Sequence, residues 1–269
     1  MRDEIPSMKA MFQGLRTIDK PSPSRTRFGS ADLVAALRDI GLAEGDSVFV
    51  HSSFKSLGSI KGGALTVIRA LEATVGPSGH VLMPSFHLIA RSKRAEMWNH
   101  ETSPASTGWL TEFFRTLQGT LRSDHYSHSV AVRGPNAADW VSGDRPEQGF
   151  ASPWDLDLWM RTFGVNSPIY KCYTENSKVL LLGANYDSLT FLNLVEVLDW
   201  NKRLEENPGA EFRVIDRDIV GAICDAGGKV RFGTVGLAHC RVFSARELID
   251  DLLARIAAGE VIFKSEKSS

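Results

Sequence analysis

Residues 47–71, SVFVHSSFKSLGSIKGGALTVIRAL, contain the pattern that decides the fold. Residues 47–51 have the composition of a β-strand, and a short polar loop follows them. The pair Gly62-Gly63 then opens a segment in which Val67, Ile68 and Leu71 recur at helical spacing. A strand, a loop and a helix in this order are typical of an α/β protein.

The loop after this strand combines features that bind anions. Ser52, Ser53 and Ser56 bring hydroxyls, and Lys55 brings a positive charge. Glycines at the start of a helix leave backbone N–H groups free, and the helix dipole favours a negative ligand there. These features predict a phosphate or pyrophosphate site. An ordinary strand-to-helix connection has the same local pattern, so the loop alone leaves both interpretations open.

Similar patterns predict further elements along the chain. We expect strands at 81–86, 129–132 and 179–182, strands within 212–232 around the turn 225–228, and helices at 30–41, 109–117, 136–141, 189–200 and 244–259. Ser244 and Glu247 form the capping box of the last helix. The alternation predicts a single three-layer α/β domain over residues 28–263, with helices on both faces of a mostly parallel or mixed sheet. A lead-in of residues 1–27 precedes it, and a polar tail of residues 264–269 follows it.

The composition excludes several classes of protein. The 269 residues include 31 Lys and Arg against 32 Asp and Glu. The chain therefore lacks the excess of positive charge that is typical of proteins that bind nucleic acid or an anionic membrane. No apolar run approaches the 18 residues of a membrane span, and the first 15 residues lack a signal-peptide core. Three widely spaced cysteines predict reduced thiols, so we expect a cytoplasmic protein. The sequence leaves a homodimer open.

Several catalytic motifs are absent. The sequence contains no G-x-S-x-G, no G-x-x-x-x-G-K-[ST], no G-x-G-x-x-G and no H-E-x-x-H. These absences argue against an α/β-hydrolase, a P-loop NTPase, a Rossmann dehydrogenase and a zinc protease.

Two further segments contain candidate catalytic residues. His125 and His128 precede a predicted strand, where α/β proteins bind ligands. His128 adjoins the strand and is the candidate general base, although a histidine that only braces the loop fits the same pattern. Two histidines without a third ligand do not predict a metal site. Asn193 and Glu196 share one face of a predicted helix, as in any amphipathic helix.

An ordered series of short segments resembles one family, the aminoglycoside 3-N-acetyltransferases, also called antibiotic N-acetyltransferases. The resemblance extends from about Leu33 to Leu253. The segments that carry it include Val50-His51-Ser52-Ser53, Leu57-Gly58, Gly62-Gly63-Ala64, Met83-Pro84-Ser85-Phe86, Thr107-Gly108, Arg122-Ser123, His125, His128-Ser129-Val130, Leu180-Leu181-Leu182-Gly183, Thr190 with Glu196, and Val235-Gly236.

The resemblance implies transfer of an acetyl group from acetyl-CoA to an amine of an aminoglycoside or amino sugar, without a metal. It implies that the coenzyme contacts Ser52, Ser53, Lys55, Ser56, Leu57, Gly58, Gly62, Gly63 and Phe86. The family uses a histidine supported by a carboxylate as base, in a pattern like T-x-L-H-x-x-E. In this chain Asn193 occupies the histidine position and Glu196 the carboxylate position. An amide cannot accept a proton near neutral pH.

Three interpretations therefore remain open. The first is an N-acyltransferase with an altered acceptor or a relocated base such as His128, in which the catalytic positions are His128, Glu196 and Asn193. The second is a weak or inactive member that binds an acyl thioester or an amine. The third is a thioester hydrolase with a histidine-activated water. Five acids in residues 187–206 predict a carboxylate-lined cleft for a polycation, although a solvated helix face explains them equally well.

Overall fold

The computed structural model describes residues 27–89, 92–143 and 147–265. Eleven strands lie within these ranges: β1 (Arg27–Phe28), β2 (Ser47–Ser52), β3 (Ser59–Ile60), β4 (His80–Pro84), β5 (Leu121–Arg122), β6 (Val130–Arg133), β7 (Gly149–Phe150), β8 (Phe163–Gly164), β9 (Lys178–Leu182), β10 (Arg231–Val235) and β11 (Ala238–Ser244). Of the predicted lead-in, residues 1–26 lie outside the described residues, as do residues 266–269 of the polar tail.

Nine α-helices lie within the same ranges: α1 (Ser30–Asp39), α2 (Gly63–Val75), α3 (Arg94–Met97), α4 (Trp109–Thr116), α5 (Ala137–Val141), α6 (Pro168–Thr174), α7 (Phe191–Glu206), α8 (Arg217–Ala226) and α9 (Ala245–Ala257). Two short 3-10 turns, Phe54–Leu57 and Tyr186–Ser188, follow β2 and β9. None of the described helices is long and apolar enough to cross a membrane.

Seven of the strands form one mixed sheet in the order β10-β11-β9-β2-β4-β6-β5. The three central strands β9, β2 and β4 are parallel, and antiparallel strands flank them on both sides. The prediction of a mixed sheet is therefore confirmed, with parallel pairing confined to the centre.

The sheet separates two hydrophobic cores, because side chains alternate between the faces of a strand. On β2, Val48 and Val50 pack with helices α1, α2 and α4, whereas Phe49 packs on the opposite face with α6, α7 and α9. Each of these three side chains is fully buried. Helices thus cover both faces of the sheet, which confirms the three-layer α/β domain.

Most of the predicted elements are present within a few residues of their predicted ends. The last helix begins after Ser244, whose hydroxyl accepts a hydrogen bond from the backbone N–H of Glu247. The first helix begins at Ser30, as predicted, and its N-cap is the preceding residue, Gly29.

The prediction of strands within residues 212–232, around the turn 225–228, is wrong for the central part of this segment, which is helix α8. Asp216 caps it by accepting hydrogen bonds from the backbone N–H groups of Asp218 and Ile219. Val220 lies in the core and Ile223 packs against it, one turn further along the helix. The β-branched residues favoured a strand locally, but the aspartate cap and the core contacts decide the conformation.

Candidate functional site

A cavity of about 350 Å³ lies at the carboxyl edge of the three parallel strands. His51 and Ser52 line it from the end of β2, Pro84 lines it from the end of β4, and residues 187–190 line it from the segment that follows β9. Ligands bind at this edge of α/β sheets because the carboxyl ends of parallel strands meet there. The cavity is therefore the candidate active site.

His128 enters this cavity from an antiparallel strand. Because β6 runs antiparallel to β4, with Val130 opposite Pro84, the residues just before β6 lie at the carboxyl edge of β4. Phe86, Trp154 and Phe163 surround the His128 ring, with ring centroids 5.0, 5.4 and 5.4 Å away. The structure thus brings His128 and Phe86, both predicted site residues, into contact.

Burial among these aromatic rings lowers the pKa of His128 to about 3, and the neighbouring His125 contributes in the same direction. The imidazole is therefore neutral at physiological pH. Its Nδ1 lies 2.8 Å from the hydroxyl oxygen of Ser127.

His125 fixes the backbone of the same loop. Its Nδ1 accepts hydrogen bonds from the backbone N–H groups of Ser127 and His128, at 3.3 and 3.1 Å. Because backbone N–H groups only donate, this nitrogen carries no proton when it makes these bonds. His125 therefore positions His128 rather than lining the cavity itself.

His51 also lines the cavity, although it is not among the catalytic candidates of the sequence analysis. It is 3% exposed, and its Nε2 is buried without a hydrogen-bond partner. Burial lowers the pKa of this imidazole to about 3. The site thus contains two neutral histidines where sequence reasoning favoured one.

Asn193 and Glu196 are connected through an arginine that sequence reasoning missed. Arg217 donates one hydrogen bond to Asn193 Oδ1 at 2.6 Å and another to Glu196 Oε1 at 2.7 Å. The same Glu196 oxygen accepts a hydrogen bond from the backbone N–H of Ile215. Burial raises the pKa of Glu196, while Arg217 opposes this shift.

Of these three residues, only Asn193 lines the cavity. Glu196 is 2% exposed and lies behind it. Arg217 begins α8, a segment predicted as strand, so no sequence signal placed it beside Asn193. The aspartate at 216, a typical helix-capping residue, is the signal that could have indicated the helix.

The residues predicted to contact the coenzyme lie in several different parts of the structure. Ser52 and Phe86 line the main cavity. Ser52, Ser53 and Ser56 line an adjoining cavity of about 490 Å³, which shares Ser52 and Ser188 with the first. The Leu57 side chain is fully buried in the core.

The remaining predicted coenzyme residues lie outside both cavities. Lys55 and Gly58 are exposed, and Gly62 caps α2 with a positive φ of 78°. Gly63 has a φ of 64°, and a Cβ atom built on it would meet nothing within 4 Å. The start of α2 is thus open to a ligand.

Within the described ranges, no cluster of three or more His, Cys, Asp or Glu side chains is arranged to hold a metal ion. The cysteines Cys172, Cys224 and Cys240 are free thiols.

Comparison with known proteins defines the class. The family model of the aminoglycoside 3-N-acetyltransferases matches residues 49–256, and the chain belongs to this family. The SPbeta prophage-derived aminoglycoside N(3')-acetyltransferase-like protein YokD of Bacillus subtilis is 29% identical over 249 residues, which cover 80% of this chain and 87% of that protein. Aminoglycoside N(3)-acetyltransferase VII of Streptomyces paromomycinus is 28% identical over 274 residues, which cover 84% and 89%.

A solved structure of AAC-IIIb in a binary complex with CoASH has the same fold. Its TM-score is 0.69 at 25% identity, and the match covers 87% of this chain and 98% of that chain. The resemblance seen in the sequence is confirmed.

Replacing His51 with Gln is expected to reduce the pH dependence of stability between pH 6.5 and about 3, the ordinary and the folded-state pKa of this imidazole. In this window the unfolded chain binds a proton that the folded protein does not bind. Each such histidine therefore lowers stability by up to about 1.4 kcal/mol per pH unit as the pH falls. Urea unfolding at a series of pH values measures the slope. The exposed His239→Gln variant is the control, and an unchanged slope in His51→Gln would contradict the burial argument.

Proposed function

We propose that this protein is an acetyl-CoA-dependent N-acetyltransferase that acts on an amine of an aminoglycoside or amino sugar, with His128 as the base in place of the histidine absent at Asn193. The observation that carries the proposal is the neutral, buried His128 in a cavity at the carboxyl edge of the sheet. Membership of the acetyltransferase family supports the reaction class.

The coenzyme is proposed to occupy the adjoining cavity and to extend its acetyl group past Ser52 into the main cavity. The two cavities share the lining residues Ser52 and Ser188, which supports this path. The free backbone N–H groups at the start of α2, near Gly62 and Gly63, suit the phosphates. The binary complex of AAC-IIIb with CoASH supports CoA as the co-substrate.

In the proposed reaction, the amine nitrogen forms a bond to the acetyl carbon and the bond from that carbon to the CoA sulfur breaks. The amine loses a proton to His128, and the proton passes to the departing thiolate. Burial keeps the His128 imidazole unprotonated at neutral pH, so its lone pair is available, and the same burial makes it a weaker base than an ordinary imidazole. Its low pKa means that it does not retain the proton, which favours transfer to the thiolate.

One observation favours a second candidate, a weakly active member that binds acyl-CoA or an amine. Arg217 occupies both Asn193 Oδ1 and the Glu196 carboxylate. Asn193 is an amide, and Glu196 is buried behind the cavity wall with its Oε1 bonded to Arg217, so neither group accepts a proton from an amine in the cavity. CoA release distinguishes the candidates: release that requires an amine supports the transferase, release in water alone indicates a hydrolase, and binding without release indicates the weak member.

Gly63→Asp is expected to weaken CoA binding, because its carboxylate would face the coenzyme phosphates. Gly63→Asn is the matched control, since it has the same shape and Asn and Asp both tolerate a positive φ. We expect the Kd of the Asp variant to exceed that of the Asn variant by about tenfold, which corresponds to one unfavourable charge contact of about 1.4 kcal/mol. Calorimetric titration with CoA measures both. No heat with the parent protein at millimolar CoA would contradict the coenzyme proposal.

Asn193→His is expected to raise acetyl transfer to a generic aminoglycoside, because general-base assistance contributes about 10²–10⁴-fold. Asn193→Gln keeps the amide and is the control without a gain. Thiol release from acetyl-CoA measures the rates. A folded Asn193→His variant without a gain would show that the acceptor pocket has diverged as well.

The His128→Gln variant distinguishes a catalytic base from a residue that only holds the loop in place. If His128 is the base, the variant loses kcat by about 10²–10⁴-fold and keeps its melting temperature. If His128 only supports the loop, the variant loses stability. Steady-state kinetics with acetyl-CoA and thermal unfolding of the same samples measure both quantities. Unchanged kinetics and unchanged stability would remove His128 from the proposed mechanism.

A further inference from the structure

A buried charged side chain lies beside the main cavity, and the proposed reaction does not use it. Arg122 ends β5, is 8% exposed and is not one of the residues that line the cavity. Burial lowers the pKa of this guanidinium to about 10, so it is still charged at neutral pH. A buried charge is unfavourable unless hydrogen bonds compensate for the lost water.

The guanidinium of Arg122 joins three segments of the chain. Its Nη2 donates a hydrogen bond to the backbone carbonyl of Ser85 at 2.5 Å. Its Nη1 donates to the backbone carbonyls of Ser103 and His100, at 2.6 and 3.1 Å. Its Nε donates to the hydroxyl oxygen of Ser129 at 3.2 Å. All three nitrogens are engaged, and their partners lie before α3, after α3 and just before β6.

The planar shape of the guanidinium suits these contacts. Arg122 Cζ lies 4.3 Å from the centre of the Trp98 ring. A guanidinium can stack on an aromatic ring while its N–H groups point outward to several acceptors. A lysine ammonium has the same charge, but it is a compact group without the planar fork. It cannot reproduce the four hydrogen bonds and the ring contact together.

Two of the groups that Arg122 contacts belong to direct neighbours of cavity residues. Ser85 precedes Phe86, and Ser129 follows His128. Phe86 and His128 both line the cavity, with ring centroids 5.0 Å apart. The hydroxyl of Ser129 also donates to the carbonyl of Ser85, at 2.7 Å. One guanidinium and one hydroxyl therefore connect the backbone of the candidate base to the backbone of the aromatic residue beside it.

Building on the proposed acetyltransferase function, we propose that Arg122 is a positioning residue of the reaction. By holding Ser85 and Ser129 together, it keeps the His128 ring beside Phe86 and directed at the acceptor amine. Arg122 acts through His128 and does not contact the acceptor itself.

Arg122→Lys tests the proposal, because it keeps the charge and removes the planar fork. With acetyl-CoA and an acetylated amine, we expect kcat to fall at least tenfold. Arg133→Lys is the matched control. Arg133 lies at the far end of β6 and donates to Glu72, to the Gln118 carbonyl and to Thr120, at 2.6, 2.7 and 3.1 Å. We expect the control to keep kcat within twofold.

Ser129→Ala tests the same connection without changing the buried charge. It removes the hydroxyl that lies between Arg122 and the Ser85 carbonyl, and we expect kcat to fall at least fivefold. This variant decides the question if Arg122→Lys does not fold. Unchanged kcat in Ser129→Ala and in any folded Arg122→Lys protein would overturn the proposal.

A double-mutant cycle separates positioning of the base from a general structural role. In the His128→Gln background, we expect Arg122→Lys to change kcat less than twofold, because the base that it positions is already absent. A general structural role predicts the same fold-reduction in both backgrounds, together with a matching loss of melting temperature. That result would overturn the proposal.

Nuclear magnetic resonance of the histidine rings separates this proposal from the proposed function. The His128 ring signals are assigned by their loss in His128→Gln. We expect Arg122→Lys to shift them and Arg133→Lys to leave them in place. If no amine is acetylated, the transferase function is wrong, but this shift would still support the positioning of His128 by Arg122. Unshifted His128 signals in folded Arg122→Lys protein would overturn the positioning role itself.

Discussion

The parallel pairing of β2 with β9 on one side and β4 on the other is the constraint on which the rest of the structure depends. Because the three strands run in one direction, their carboxyl ends meet and leave a cavity that loops must close. The antiparallel strand β6 then brings the residues before it to the same edge. Groups that are distant in sequence, His51, His128 and Asn193, reach one cavity for this reason.

The chemistry of the cavity follows from desolvation. His51 and His128 are both enclosed by protein, and burial disfavours a charged imidazole, so both pKa values fall to about 3. Aromatic rings around His128 and the hydrogen bond that its backbone N–H donates to His125 keep it in place. The site therefore holds two neutral imidazoles in fixed positions, and the stability of the protein at low pH is reduced in consequence.

Arg217 determines what Asn193 and Glu196 can do. One guanidinium satisfies the buried carboxylate and orients the amide, and this pairing removes a negative charge from the neighbourhood of the cavity. A buried carboxylate without such a partner would be strongly destabilising. Asn193 is thus part of a connected arrangement of three side chains, in which Arg217 holds its amide oxygen.

The sequence by itself determined the four strands β2, β4, β6 and β9 and the helices α1, α2, α4, α5, α7 and α9, since apolar spacing and capping residues such as Ser244 act within a few residues along the chain. It also determined the family and the position of Asn193 within the family pattern. It did not determine α8. The β-branched residues there favour a strand locally, but the contacts of Val220 with the core stabilise a helix. Nor did it reveal the second buried histidine, His51, or the hydrogen bond from Arg217 to Asn193. That bond joins residues 24 positions apart, and only the packing of α8 against its neighbours brings the two side chains within hydrogen-bonding distance.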